Sequence, residues 1–176
     1  MIEVKDKIFK PYLGQPTIEK RVKELGREIS KDYRGKDPII IGVLNGAYIF
    51  LSDLSKAIDI PAEISFIKIS SYEGDSSTGK VKRLIGLDVE LKNRHVLLVE
   101  DIVDTGLSMI NLLSQVNEKE PASVKTVTLL YKPDALRHNV ALDYIGFQIP
   151  NKFVVGYGLD YDGFGRNIPE IYQLST

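Results

Sequence analysis

The sequence contains no cysteine. Disulfides, thiolate metal centres and a cysteine nucleophile are therefore excluded. Small secreted domains commonly rely on disulfides, so this absence fits a cytoplasmic location. An excess of charge is also missing: 23 Lys and Arg stand against 24 Asp and Glu, for a net charge of -1. No basic balance points to nucleic acid or a membrane surface as a partner. Long hydrophobic runs are scarce. The longest, Ile39 to Leu51, is broken at Asn45-Gly46 and is too short to span a bilayer. Met1 to Lys10 has no apolar centre of the kind an export signal needs. There is no Asn-x-Ser/Thr acceptor, no internal repeat and no low-complexity segment.

What is present is an ordinary globular balance, with 176 residues, 43% hydrophobic and 27% charged. That is enough for one domain with a sizeable core. Pro16-Thr17 marks a helix start, and Ile18, Val22, Leu25 and Ile29 recur at helical spacing. Residues 38–44 form a continuous apolar, β-branched run, read as a strand buried on both faces. Asn45-Gly46 turns the chain into a helix over Ala47 to Ile58. Further strands are expected at Ala62–Ser70, His95–Val99, Val124–Tyr131, Tyr144–Phe147 and Phe153–Tyr157, with Ile171–Leu174 as a last edge strand. A helix is expected over Thr105–Asn117. Alternating strands and helices with short connections predict an α/β fold with a mainly parallel sheet flanked by helices. The N-terminal helix and the late strands are expected to form a smaller lobe over one end. Ser71 to Lys80 is polar and glycine-bearing, either a solvated loop or a mobile flap.

The most informative segment runs from Val96 to Ser108. An apolar strand leads into Glu100-Asp101, then Asp104, then Thr105-Gly106-Leu107-Ser108 at a helix start. Such strand-to-helix loops, at the carboxyl edge of a parallel sheet, are where these folds bind ligands. A helix start offers unpaired N–H groups and a positive dipole end, and Thr105 and Ser108 add hydroxyl donors. These parts can hold a phosphate dianion. The adjacent carboxylates can accept hydrogen bonds from ribose hydroxyls, although an acidic pair alone also suits a solvated loop or a metal. Asp104 also fits a helix-capping role.

Glu-Asp-Ile-Val-Asp-Thr-Gly after an apolar strand resembles the phosphoribosyl pyrophosphate (PRPP) signature of type I phosphoribosyltransferases. Ser71-Tyr72 with Ser77-Thr78-Gly79, and Phe147 to Asp160, resemble the flexible loop and base-binding segment of the family's hypoxanthine-guanine branch. The likeness spans about Ile39 to Leu174. It implies a core over about 36–145 and a hood from about 1–15 and 146–176. It also implies a purine-salvage transferase that moves 5-phosphoribosyl from PRPP to a 6-oxopurine, hypoxanthine first and guanine next, with Mg²⁺. A homodimer or homotetramer is expected by the same likeness.

By that resemblance, Asp104, Thr105, Gly106, Leu107 and Ser108 hold the 5-phosphate, and Glu100 and Asp101 bind the ribose hydroxyls. Asp104 serves as the general base at purine N7. Lys132 meets the purine O6, Phe153 stacks on the base, and backbone groups of Lys152 and Val154 read its edge. Asp160 lies near the base and the metal, with Glu100 and Asp101 as further metal candidates. Asn45, Gly46 and Arg166 meet pyrophosphate, and Ser71 and Tyr72 belong to the flap. Read alone, Lys132 is a surface lysine and Phe153 a core aromatic. One departure stands out: Asn45 occupies a place where the family often has lysine, which removes a cation there.

Other motifs fail. Asp160-Tyr161-Asp162-Gly163 lacks the later ligands of a calcium loop, and Gly156-Tyr157-Gly158 lacks the third glycine of a dinucleotide fingerprint. His95 and His138 have no ligand-spaced partners. The rival reading is a non-catalytic nucleotide-sensing regulator on the same fold. It predicts a basic face or an appended DNA-binding module, and the sequence has neither.

Overall fold

The computed structural model describes residues 1–72 and 81–175. The main sheet has six strands in the order β5-β4-β3-β6-β7-β8. Its members are β3 (Ile39–Leu44), β4 (Glu63–Tyr72), β5 (Val81–Ile85), β6 (His95–Val103), β7 (Ser123–Tyr131) and β8 (Tyr144–Gln148). All neighbours pair in parallel except β5, which runs antiparallel to β4 at one edge. The expected mainly parallel α/β architecture is what the chain adopts. The reason lies in β3 and β6: Ile39, Ile40 and Ile41 and Val96 to Val99 are buried throughout, because both faces of the sheet are covered.

Helices α1 (Gln15–Asp32), α2 (Tyr48–Ala57) and α3 (Leu107–Asn117) do the covering. Ile18, Val22, Leu25 and Ile29 of α1 join Phe50, Leu51 and Leu54 of α2 in one core on Ile40, Leu97 and Val127. Met109, Leu112 and Val116 of α3 seal the opposite face on Ile39, Ile41 and Leu98. Helix α1 therefore belongs to the main core and not, as its position in the chain suggested, to the small lobe. Its apolar stripe matches the sheet face beside α2, where Gly26 lets the helices approach until a methyl group would meet the Ala57 backbone.

A second, antiparallel sheet has the order β1-β2-β10-β9, from β1 (Ile2–Val4), β2 (Lys7–Leu13), β9 (Val154–Val155) and β10 (Ile171–Leu174). Two expectations are corrected here. Strand β10 is interior, paired with β2 on one side and β9 on the other. The strand expected over Phe153–Tyr157 shortens to two residues, because Gly156, Tyr157 and Gly158 all take positive φ. Strands β1 and β2 had no sequence signal of their own, since their alternation is short and carries charges on one side. Of the expected flap, Ser71 and Tyr72 end β4, and residues 73–80 lie outside the described residues. Among the described residues no helix is long and apolar enough to cross a membrane.

Candidate active site

The carboxyl ends of β3, β6 and β7 converge under the second sheet, and most of the sequence candidates gather there. In β6 the apolar run ends at Glu100, which remains buried, and Asp101 follows at the rim. Burial pushes the Glu100 carboxyl well above its ordinary range, and the neighbouring Asp101 adds to the effect. Burial raises Asp101 as well, opposed by the Ile102 N–H that donates to its Oδ1 at 2.8 Å and by the Arg166 charge.

Beyond β6 the chain turns through Asp104 and Thr105 into α3. The cap of α3 is Gly106, at φ 85°, with no side-chain cap and no acid in the first turn. The helix thus starts two residues later than expected, and Asp104 does not cap it. Thr105 Oγ1 accepts a long hydrogen bond from the Leu107 N–H, at 3.4 Å. The remaining N–H groups of the first turn have no intrahelical partner. Beside this turn lies a cavity of about 90 Å³ lined by Glu100, Ile102, Val103, Asp104, Thr105, Gly106, Ser108 and Met109. Four of the five expected phosphate-loop residues line it. Leu107 has an exposed side chain and is not among them. Leu136 and His138 back the loop, and Arg137 and His138 donate their N–H groups to the Thr105 carbonyl at 3.0 and 3.1 Å.

Register places Val103 of β6 opposite Tyr131 of β7, so Asp104 and Lys132 leave the sheet edge side by side. Lys132 is buried, and its ammonium donates to Asp104 Oδ2 at 3.1 Å. The surface-lysine reading is therefore wrong. A buried ammonium requires such a partner, and this one is half exposed and opens into the site.

A second cavity, of about 210 Å³, is lined by Asp101, Ile102, Asp104, Lys132, Phe153, Val154, Leu159 and Asp160. Asp104 and Ile102 border both cavities, so the two are neighbours. Phe153 is 43% exposed, which overturns the core-aromatic reading. Its ring is set edge-on to Tyr161, with centroids 5.9 Å apart. Lys152 is exposed and spends its N–H on the Pro150 carbonyl at 2.7 Å, leaving its own carbonyl free of that bond. The sequence reading missed Ile102 and Leu159, both inside motifs it had marked.

Arg166 donates to the Gly158 carbonyl at 2.7 Å and pairs with Asp160 Oδ1 at 2.7 Å. Asn45-Gly46 joins β3 to α2, and the Leu44–Asn45 peptide is cis. Gly46 packs so closely on the Asp101 carboxylate that any Cβ would overlap it. A roomier cavity of about 350 Å³, lined by Glu19, Val22, Lys23, Asp53, Lys56 and Ala57, lies between α1 and α2 and contains none of the candidate residues. Among the described residues there is no cluster of three or more acidic, histidine or cysteine side chains placed to hold a metal.

A parallel sheet whose strand ends carry buried acids, a bare helix start and an acid–lysine pair defines an α/β protein that holds its ligand at the carboxyl edge of the sheet. The chain belongs to the phosphoribosyl transferase domain family, whose model matches residues 10–162. It is similar to the hypoxanthine-guanine phosphoribosyltransferase of Aquifex aeolicus, 41% identical over 176 residues and covering 99% of each chain. The Mycobacterium tuberculosis enzyme of the same name is 44% identical over 170 residues, 89% of this chain and 84% of that one. Among solved structures, the hypoxanthine phosphoribosyltransferase of Trypanosoma cruzi in complex with the product IMP superposes with a TM-score of 0.87. It is 36% identical, covering 99% of this chain and 98% of that one.

Proposed function

We propose that this chain performs purine salvage, transferring 5-phosphoribosyl from PRPP to hypoxanthine, and also to guanine, to give IMP or GMP and pyrophosphate. The observation that carries this reading is the Lys132–Asp104 pair. It sits where the cavity at the α3 start meets the cavity under Phe153. One cavity suits a phosphate and the other a planar base, and the pair stands between them.

In this reading the N–H groups from Thr105 to Ser108 hold the 5-phosphate, helped by the helix dipole. Glu100 and Asp101 accept hydrogen bonds from the ribose hydroxyls. The base lies against the exposed face of Phe153, its edge read by backbone groups of Lys152 and Val154. Lys132 donates to O6, which favours a 6-oxo acceptor over a 6-amino donor. The bond from ribose C1 to pyrophosphate breaks, the bond from C1 to the purine nitrogen forms, and the proton displaced from the base is taken by Asp104 at N7. Arg166 and the backbone at Asn45-Gly46 stabilise the departing pyrophosphate. Ser71 and Tyr72, at the end of β4, are the flap residues of this reading.

Mg²⁺ would be held largely by the oxygens of PRPP, since no three side chains among the described residues are placed to cage a metal. Glu100, Asp101 and Asp160 offer hard oxygens, and the two raised carboxyls of β6 gain from a nearby cation. When bound, Mg²⁺ would neutralise charge on the pyrophosphate. The assignment extends to a hood over the main core, a cytoplasmic location and a homodimer or homotetramer. No observation favours the nucleotide-sensing alternative. The test is an absorbance assay with purified protein, PRPP, Mg²⁺ and hypoxanthine, guanine, xanthine or adenine in turn. Turnover with hypoxanthine is expected, and no turnover with any 6-oxopurine rejects the reading.

A further inference from the structure

We propose that Tyr157, held by Asp53, is a positioning residue that fixes the Asn45-Gly46 loop against the hood and so tunes PRPP binding. The inference rests on the transferase reading above. Gly156, Tyr157 and Gly158 have φ values of 104°, 50° and 100°. A bulky residue at positive φ is uncommon, and such a backbone persists only where its surroundings over-determine it.

Here they do. The Tyr157 N–H donates to the Ile168 carbonyl at 2.7 Å, and the Gly158 N–H donates to the Arg166 carbonyl at 2.9 Å. The Tyr157 ring is buried in the main core. Its hydroxyl donates to Asp53 Oδ2 at 2.6 Å, a bond from the hood segment to α2 that joins residues 104 positions apart. Lys56 pairs with the other oxygen, Oδ1, at 2.7 Å. Burial and the Asp53 carboxylate push the Tyr157 hydroxyl far above its ordinary value, so it remains a donor at any working pH.

The geometry links this bond to the pyrophosphate side of the site. Helix α2 begins directly after the Asn45-Gly46 loop. One residue beyond Tyr157, the Gly158 backbone bears on the Gly46 carbonyl so closely that no Cβ fits. From its other side Gly46 meets the Asp101 carboxylate. The loop is thus gripped between strand β6 and the hood, and the Tyr157–Asp53 bond holds the grip shut. Neither Tyr157 nor Asp53 borders the base-side cavity.

Steady-state kinetics of the full chain carrying Tyr157→Phe, Asp53→Ala and both changes test this, with Tm recorded for each. In either single variant KM for PRPP is expected to rise about fivefold to tenfold, less than the full weight of a hydrogen bond to a charged group because the bond acts on the loop indirectly. The double variant should be no worse than the singles, and KM for hypoxanthine and kcat should hold within about twofold. Lys56→Ala, which removes the exposed partner of the other oxygen, should keep the wild-type constants. A lower Tm with unchanged KM for PRPP assigns the bond to stability alone and overturns the proposal. An equal rise in KM for hypoxanthine also overturns it. If Tyr157→Phe fails to fold, Asp53→Ala, at a half-exposed site, carries the same measurement. Wild-type protein without turnover defeats the transferase reading first, and this inference with it.

Discussion

Asp104 and Lys132 stand one residue past a register pair of neighbouring strands, and the lysine ammonium donates to the aspartate carboxylate across 3.1 Å. Lys132 is buried, whereas Asp104 is half exposed and borders both cavities, so the pair joins a dry side chain to one that water reaches. Asp104→Asn keeps the shape and an acceptor for Lys132 but cannot take a proton. Turnover is expected to fall by about 10²- to 10⁴-fold, the usual weight of a general base. IMP affinity, measured by calorimetry, should change by less than about tenfold. Equal losses in both would remove the proton role.

Lys132→Met keeps much of the side-chain volume and leaves Asp104, already half exposed, in contact with water. The fold should survive. kcat/KM for hypoxanthine is expected to fall by about tenfold to a hundredfold, the range of a hydrogen bond to a charged group. The ratio of hypoxanthine to adenine rates should shrink along with it. Side-by-side assays with the two bases check this, and an unchanged ratio contradicts the O6 contact.

Gly46→Ala places a methyl group into the Asp101 carboxylate. Overpacking of this kind costs about 1–3 kcal/mol. The loss should appear as a lower Tm and as weaker binding of both PRPP and IMP, because in the proposed reading Asp101 serves the ribose that they share. Thermal melts and calorimetry with IMP separate the two effects.

The buried carboxyl of Glu100 gives a pH dependence with a definite sign. Its folded-state pKa lies above the ordinary value of 4.5, through burial first and Asp101 second. The folded state therefore holds a proton that the unfolded chain releases. Stability from this group is full below the ordinary value and is lost as pH rises through the folded value. Glu100→Gln removes the loss. Relative to wild type, the variant should gain stability as pH rises above the ordinary value of 4.5, in urea unfolding of the protein. Parallel stability curves would show that Glu100 ionises in the folded state as freely as in the unfolded one.

The main sheet was legible because its strands advertise themselves. Ile39 to Leu44 and Val96 to Val99 are apolar without alternation, which is what burial on two faces demands. The site was legible where chemistry is contiguous in the chain, as in Glu100 to Ser108. What failed was pairing at a distance. Nothing local distinguishes Lys132 from a solvated lysine. Its burial follows from register with β6, and register is a tertiary fact. The exposure of Phe153, the interior place of β10 and the Tyr157–Asp53 bond arise in the same way. Helix α1 was read correctly as a helix but assigned to the wrong layer, since an apolar stripe specifies that a face is covered and leaves open what covers it.

The strand order of the hood also has a bearing on how the protein comes into being. Strand β2 can pair with β1 at once but meets β10 only when residues 171–174 have been synthesised. The parallel sheet ends with β8 at Gln148 and can form on a nascent chain well before that. The hood is thereby completed last, and the cleft acquires its roof only once β10 has been made and has paired with β2.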